Sequence, residues 1–233
     1  TGAARTRPGC TATTTANITV SSTMAAERAP AMDTLLLVFA RAPRRGRVKT
    51  RLVPELGEDT ALDVHQRLLD RTLREAAAFP GRARLMLDDH DDRLAAHARE
   101  IGLEVGLQHG GGLGERMNAA LRDGLQEAAR VLLVGSDCPV LDQTYLALAV
   151  DGLDNARVVL GASEDGGYVL IGGSDASVWH DRRFEGVRLG TDYAMADTLV
   201  ALNDVAPVTV LPPLWDVDIP EDVTRARNLG VLP

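Results

Sequence analysis

The chain is short of cysteine, of histidine, of long apolar runs and of positive charge, and each shortage removes a class of protein. Two cysteines in 233 residues, Cys10 and Cys138, cannot build a disulfide framework, so a reducing cytoplasm is the expected compartment. No apolar stretch approaches the length that crosses a bilayer, so no membrane span is expected. The five histidines show no metal-ligand spacing, which disfavours a structural zinc site. A formal net charge of −8 argues against a general nucleic-acid binder, which needs a dominant basic surface. What is present is enough hydrophobic content, 45%, to bury a full core at this length, with one domain as the default.

Residues 1–32 differ from the rest. They are rich in Thr, Ala and Ser, carry Arg5, Arg7 and Arg28, and lack periodicity and the apolar segment of a secretory signal. The composition suits an organelle transit peptide, but Met24 and Met32 favour extra sequence upstream of the working start. The expectation is a disordered extension over 1–32, without a functional role, and one domain over 33–233.

The domain is organised around Val131–Val140, where four apolar residues run into Gly135-Ser136-Asp137. Such a run reads as a buried parallel strand, and Asp137 then stands just beyond its carboxyl end, where open α/β sheets bind ligands. Pro139 ends the strand and Asp142 caps a helix to Leu153. A carboxylate at a strand tip can also serve only as a cap, so Asp137 needs company before it means chemistry.

Thr34–Ala40 reads as the first buried strand. It enters Arg41-Ala-Pro-Arg-Arg-Gly-Arg-Val-Lys-Thr-Arg51, a loop with six basic side chains and no acid. In an acidic protein these charges repel one another unless an anion sits among them. The Walker spacing is absent. Arg41, Arg44, Lys49 and Arg51 therefore read as phosphate or diphosphate contacts, with a solvated basic loop as the bland alternative. A helix from Asp59 to Ala78 follows, with His65 on its packed face, then a strand over Arg82–Leu87. The acids of Asp88–Asp92 precede a helix from Asp91 to Ile101 and read as capping. A short strand over Leu103–Leu107 leads to four glycines, Gly110, Gly111, Gly112 and Gly114, opening a helix from Glu115 to Ala129. Such a turn lets a nucleobase or ribose approach backbone and helix N-terminus.

Beyond the organising strand, Arg157–Gly161 is another buried strand. It runs into Asp165-Gly166-Gly167-Tyr168, a hairpin signal whose tip can present polar groups to a small substrate. Val208–Leu211 is a late strand that stops at Pro212-Pro213. After it, Asp216 and Asp218 fall on one side of an extended Trp215–Ile219 segment, and Pro220 opens the last helix, to Asn228. Two carboxylates on one face repel unless a cation relieves them. Asp137, Asp216 and Asp218 thus form a candidate set for Mg²⁺ or Mn²⁺, beside the basic loop.

In order, Phe39–Leu52, Leu113-Gly-Glu-Arg-Met117, Gly135-Ser-Asp-Cys-Pro139, Asp165-Gly-Gly-Tyr168 and Asp216-Val-Asp218 resemble the motifs of a bacterial glycosyltransferase family with the GT-A, nucleotide-diphospho-sugar transferase fold. Its members are described as arsenosugar-biosynthesis-type or radical-SAM-associated transferases. The family is related to 2-phospho-lactate guanylyltransferase and molybdenum-cofactor guanylyltransferase. The resemblance covers about residues 34–230. It implies a single α/β domain, a mostly parallel sheet with helices on both faces. It also implies nucleotide and phosphate contacts from Arg41, Lys49 and Arg51, with Gly114 and Arg116 near the nucleotide. Metal would bind at Asp137, Asp216 and Asp218, and Asp165, Gly166, Gly167 and Tyr168 would face the acceptor. The chain departs from the pattern at Gly112, where many relatives carry an acid, and at Leu189, where a Trp precedes the residue matching Thr191.

The expected function is divalent-cation-dependent glycosyl transfer from a nucleotide-diphosphate sugar to a small-molecule acceptor. Lys49 and Arg51 would neutralise the leaving diphosphate, and Asp165 would act as base if the reaction inverts. One alternative is nucleotidyl transfer, joining an NTP to a phosphorylated small molecule with release of pyrophosphate. The other is a non-catalytic nucleotide-binding protein. The oligomeric state is open, with a homodimer among the options.

Overall fold

The structure, a computed structural model, describes residues 33–180 and 182–232. The extension expected over residues 1–32 lies outside the described residues.

A central strand, β1 (Thr34–Ala40), is buried along its whole length. Parallel neighbours flank it on both sides, β2 (Arg82–Leu87) and β4 (Arg130–Val134), and β3 (Glu104–Leu107) continues beyond β2 to one edge. On the other side β4 pairs antiparallel with β6 (Tyr168–Gly173), β6 antiparallel with β5 (Val158–Ser163), and β5 parallel with β7 (Val208–Leu214). The order is β3-β2-β1-β4-β6-β5-β7, and β6 alone among these strands runs backwards. The hairpin expected at Asp165-Gly166 is what reverses it, since β5 and β6 are joined by that tip.

Among the described residues six α-helices pack with the sheet: α1 (Val53–Ala78), α2 (Asp92–Glu100), α3 (Leu113–Gly124), α4 (Gln143–Asn155), α5 (Ala194–Leu202) and α6 (Pro220–Asn228). Alternate residues of the strands face opposite layers. Leu36, Val38, Leu132 and Val134 pack with Leu69 and Leu73 of α1 and Leu146 and Ala149 of α4. Leu35, Leu37, Val131 and Leu133 pack with Met117 and Leu121 of α3, with Leu202 of α5 and with Trp179. A third cluster joins Leu52, Val64 and Leu68 to Trp215, Val217, Val223 and Ala226. That cluster clamps the end of the basic loop against the segment after β7. No helix among the described residues is long and apolar enough to cross a membrane.

Three boundaries depart from the sequence reading. Helix α1 starts at Val53, not Asp59, because Pro54 seeds a first turn that Gly57 (φ 77°, ψ 162°) then breaks before the long helix resumes. Helix α3 ends at Gly124 rather than Ala129, and the chain turns at once into β4, onto whose Val131 Gly124 packs. Strand β7 runs through Pro212 and Pro213 to Leu214. It lies at the sheet's edge, with a bulge in its pairing to β5, where missing N–H donors cost little.

Candidate active site

The carboxyl ends of β1 and β4 lie side by side, with Val38 opposite Val134. The hairpin tip and the segment after β7 are tied to the same edge: Glu164 N–H donates to the Leu214 carbonyl (2.8 Å) and Val217 N–H to the Asp137 carbonyl (3.1 Å). A cleft of two adjoining cavities, about 550 and 270 Å³, opens between these segments. Phe39, Leu113, Gly135, Asp137, Gly190 and Asp218 line both, so they form the partition. Larger grooves, about 720 Å³ each, lie elsewhere, one against α1 and α2 and one against α5 and β7, away from the residues named here.

The larger half is basic. Arg41, Lys49, Arg51 and Arg116 line it. The loop carrying three of them is held by backbone contacts: Ala42 N–H donates to Asp88 Oδ1 (2.7 Å), and His65 Nε2 meets the Arg41 carbonyl at 3.1 Å. Burial holds the His65 pKa down, so it packs as a neutral ring, as its place on the apolar face suggested. Lys49 is the pivot. Its side chain is 4% exposed, and its ammonium donates to the Val217 carbonyl (2.6 Å) while pairing with Asp137 Oδ1 (2.9 Å) and Asp218 Oδ1 (3.4 Å). The Asp137 oxygen lies off the donor direction and is otherwise buried without a hydrogen bond. Lys49 is also the one non-glycine among the described residues with positive φ, 46°. Arg51 Nη1 donates to Asp218 Oδ2 at 3.0 Å.

The smaller half is acidic. Asp137, Asp165, Asp216 and Asp218 line it with Phe39, Met117 and Leu133. The Asp216 carboxyl is pushed up to about 7, first by burial and next by the Asp137 charge, with Lys49 pulling the other way and Asp165 and Asp218 adding to the rise. Its Oδ2 accepts from the Ser163 hydroxyl (3.3 Å). Asp165 Oδ1 accepts from Gly167 N–H (2.9 Å), fixing the hairpin tip. Burial and the Asp216 charge push the Cys138 thiol up to about 12, too high for a nucleophile at neutral pH.

The structure brings most of the expected residues together, but four take other places. Arg44 turns away from the cleft to Asp89 (2.8 Å) and the His90 carbonyl (3.2 Å). Gly114 packs against Phe184: a Cβ there would lie 2.7 Å from the Phe184 Cβ. Gly166 (φ 87°) has no room for a Cβ beside the Asp192 carbonyl, and its own carbonyl accepts from Met195 N–H (3.0 Å). Glycine there docks the hairpin onto the start of α5. The Tyr168 ring lines the smaller half, but its hydroxyl is buried near Thr198 without hydrogen-bond geometry, and burial raises its pKa to about 12.

Two residues escaped the sequence reading. Asp88 belongs to the acidic run taken as capping; only Asp91 caps α2, accepting from Leu94 N–H (2.8 Å), while Asp88 anchors the basic loop. Gln108 ties the carboxyl ends of β1 and β2 together, donating to the Ala40 (3.3 Å) and Met86 (2.8 Å) carbonyls, and accepts from Arg116 (3.1 Å). The available signal was a lone amide between an apolar strand and a glycine turn.

A single α/β domain with this sheet, and with its charged cleft beyond the carboxyl ends of the strands, has the nucleotide-diphospho-sugar transferase fold. The chain belongs to the bacterial family DUF2064, described as uncharacterized proteins conserved in bacteria, which matches residues 72–191. It is similar to a provisionally named nucleotide-diphospho-sugar transferase from Desulfovibrio desulfuricans G20, with 27% identity, TM-score 0.72 and coverage of 81% of this chain and 83% of that one. In fold it is also similar to 4-diphosphocytidyl-2C-methyl-D-erythritol synthase from Anaerococcus prevotii DSM 20548 (12% identity, TM-score 0.55, 85% and 98% covered). A third likeness is to CMP:2-keto-3-deoxy-manno-octonic acid synthetase complexed with CTP (12% identity, TM-score 0.51, 85% and 98% covered). The structural neighbours thus include nucleotide-sugar transferases and nucleotidyltransferases. No curated protein matches the sequence.

Proposed function

We propose that the chain transfers a glycosyl group from a nucleotide-diphosphate sugar to a small acceptor. The observation that carries this reading is the division of one cleft into a basic and an acidic half, with Asp137 and Asp218 on the partition. In this reading Arg41, Lys49, Arg51 and Arg116 hold the diphosphate in the larger half, and the sugar extends over the partition. The acceptor hydroxyl attacks the anomeric carbon from the smaller half. The bond from that carbon to the diphosphate breaks, its electron pair leaves with the diphosphate, and Asp165 takes the hydroxyl proton.

Asp137, Asp216 and Asp218 offer hard oxygen donors, the kind that Mg²⁺ or Mn²⁺ takes. The buried Asp137 Oδ1 lacks a hydrogen bond, and burial, with the neighbouring Asp137 charge second, raises the Asp216 pKa. Among the described residues no ready-made group of three such side chains encloses an ion, and Lys49 lies between Asp137 and Asp218. A bound cation would supply charge neutralisation to the departing diphosphate. Lys49 and Arg51, already at the partition, hold the same charge from the protein side.

Nucleotidyl transfer would use the same basic half, with pyrophosphate as the product that separates the two readings. The test is thermal stabilisation across nucleotide sugars and nucleoside triphosphates, with and without Mn²⁺, followed by mass spectrometry of the products. A cation-dependent shift with one nucleotide sugar, abolished in Asp137→Ala, and a glycosylated product are expected. Pyrophosphate release from a triphosphate with no glycosyl product would overturn the reading.

A further inference from the structure

The smaller half of the cleft has a charge pattern that the donor does not explain. Four carboxylates line it, and none of its described lining residues is lysine, arginine or histidine. Lys49 and Arg51 offset Asp137 and Asp218 from the other side of the partition. Lys49 also offsets part of the charge at Asp216, whose Oδ2 accepts from the Ser163 hydroxyl, whereas Asp165 pairs with no basic side chain among the described residues and accepts from Gly167 N–H. Arg188, two residues before Gly190 of the lining, is held by Asp197 (2.8 and 2.9 Å). Apolar surface from Phe39, Leu113, Met117, Leu133 and Leu189 makes the rest of the wall.

Asp137, Asp216 and Asp218 are the set offered to a divalent cation, so Asp165 is the charge left facing an acceptor: it accepts from hydroxyl and ammonium donors, while like charge repels a phosphate or carboxylate brought against it in the same small space. We propose that this half takes a small polyol or amino-polyol carrying neither phosphate nor carboxylate, and turns phosphorylated acceptors away. The inference rests on the glycosyl-transfer reading and sharpens it. A nucleotidyl acceptor would have to bring its own phosphate up to Asp165, whereas a glycosyl acceptor needs only a hydroxyl.

The test uses the full chain labelled with ¹⁵N, with D-glucose, D-glucosamine and D-glucose 6-phosphate as probes. The amides of Gly167 and Thr191 report on the smaller half and those of Thr50 and Arg51 on the larger. The two unphosphorylated sugars are expected to move Gly167 and Thr191, glucosamine at the lower concentration, and glucose 6-phosphate to move only Thr50 and Arg51. Equal movement of Gly167 and Thr191 by glucose 6-phosphate would overturn the proposal, and so would no movement by either unphosphorylated sugar. In Asp165→Lys, glucose 6-phosphate should reach Gly167 and Thr191 at least about tenfold more tightly, as reversal of a like-charge contact requires; an unchanged response counts against it. These shifts need no turnover. Failure of glycosyl transfer itself would appear separately, as pyrophosphate release in the product assay.

Discussion

The two walls of the cleft are built in opposite ways. Apart from Arg116 of α3, the basic wall is one continuous segment, Arg41 to Arg51, whose charges are neighbours in sequence and whose shape is set by short ties to Asp88 and His65. The acidic wall draws one carboxylate from the end of β4, one from the β5–β6 hairpin and two from the segment after β7, held together by backbone bonds such as Val217 N–H to the Asp137 carbonyl. A charge cluster contained in one loop survives small shifts of the fold. One assembled from three segments depends on every tie between them, and on the cation that joins the walls.

Removing that cation should do the most damage. Lys49→Met takes away a nearly buried charge and leaves Asp137, Asp216 and Asp218 facing one another. We expect a loss of about 3 kcal/mol in denaturant unfolding, the lower end for breaking a buried pair because the two partners are part-exposed. Transfer should fall by about 10²–10³-fold, as when a charge-stabilising donor is lost. Unchanged stability would mean that the walls stand independently.

Breaking the acidic wall alone is the next step. Gly166→Ala places a methyl group against the Asp192 carbonyl at a φ that side chains rarely adopt. It should cost about 1–3 kcal/mol and raise the acceptor KM more than the donor KM. Equal effects on both would mean that the hairpin tip supports the whole cleft.

The wall's titration should be visible in stability. A folded Asp216 pKa of about 7, above the ordinary 3.8, means that the folded chain binds the proton more tightly than the unfolded one. Its contribution is then greatest below about pH 4 and is lost as pH rises towards 7. The thermal midpoint should therefore fall between about pH 4 and 7 in the cation-free protein. Asp216→Asn should flatten that slope, and added Mn²⁺ should do so in the wild type. A slope unchanged in the variant would assign the titration elsewhere.

The smallest effect belongs to the basic wall. Arg44 is spent on exposed partners outside the cleft, so Arg44→Ala should leave turnover within about twofold and stability within about 1 kcal/mol, as for an exposed ion pair. A large loss would mean that the loop rearranges to bring Arg44 inward.

The same contrast explains what the sequence could tell. Buried strands such as Thr34–Ala40 announce themselves by unbroken apolar runs, and the basic loop by its uniform charge. The docking role of Gly166 and the inward-turned hydroxyl of Tyr168 depend on α5, far along the chain, so local pattern suggested substrate contacts instead. Asp88 and Asp91 look alike in sequence, yet only the register of β2 beside β1 puts Asp88 under the loop. The prolines of β7 look like a strand end because a two-residue motif cannot say whether its strand is at an edge.

Lys49 also puts a clock on the molecule. Its contact with the Val217 carbonyl spans 168 positions of the chain. At about 5–20 residues per second, a ribosome delivers the basic loop on the order of ten to thirty seconds before the segment that balances it. Arg44 and Arg45 meet their partners Asp89, Glu58 and Asp59 early in that interval, and Lys49 can meet Asp137 midway, but Arg51 waits for Asp218 until its end. The acidic wall gains its last two carboxylates, Asp216 and Asp218, only when the segment after the last strand arrives.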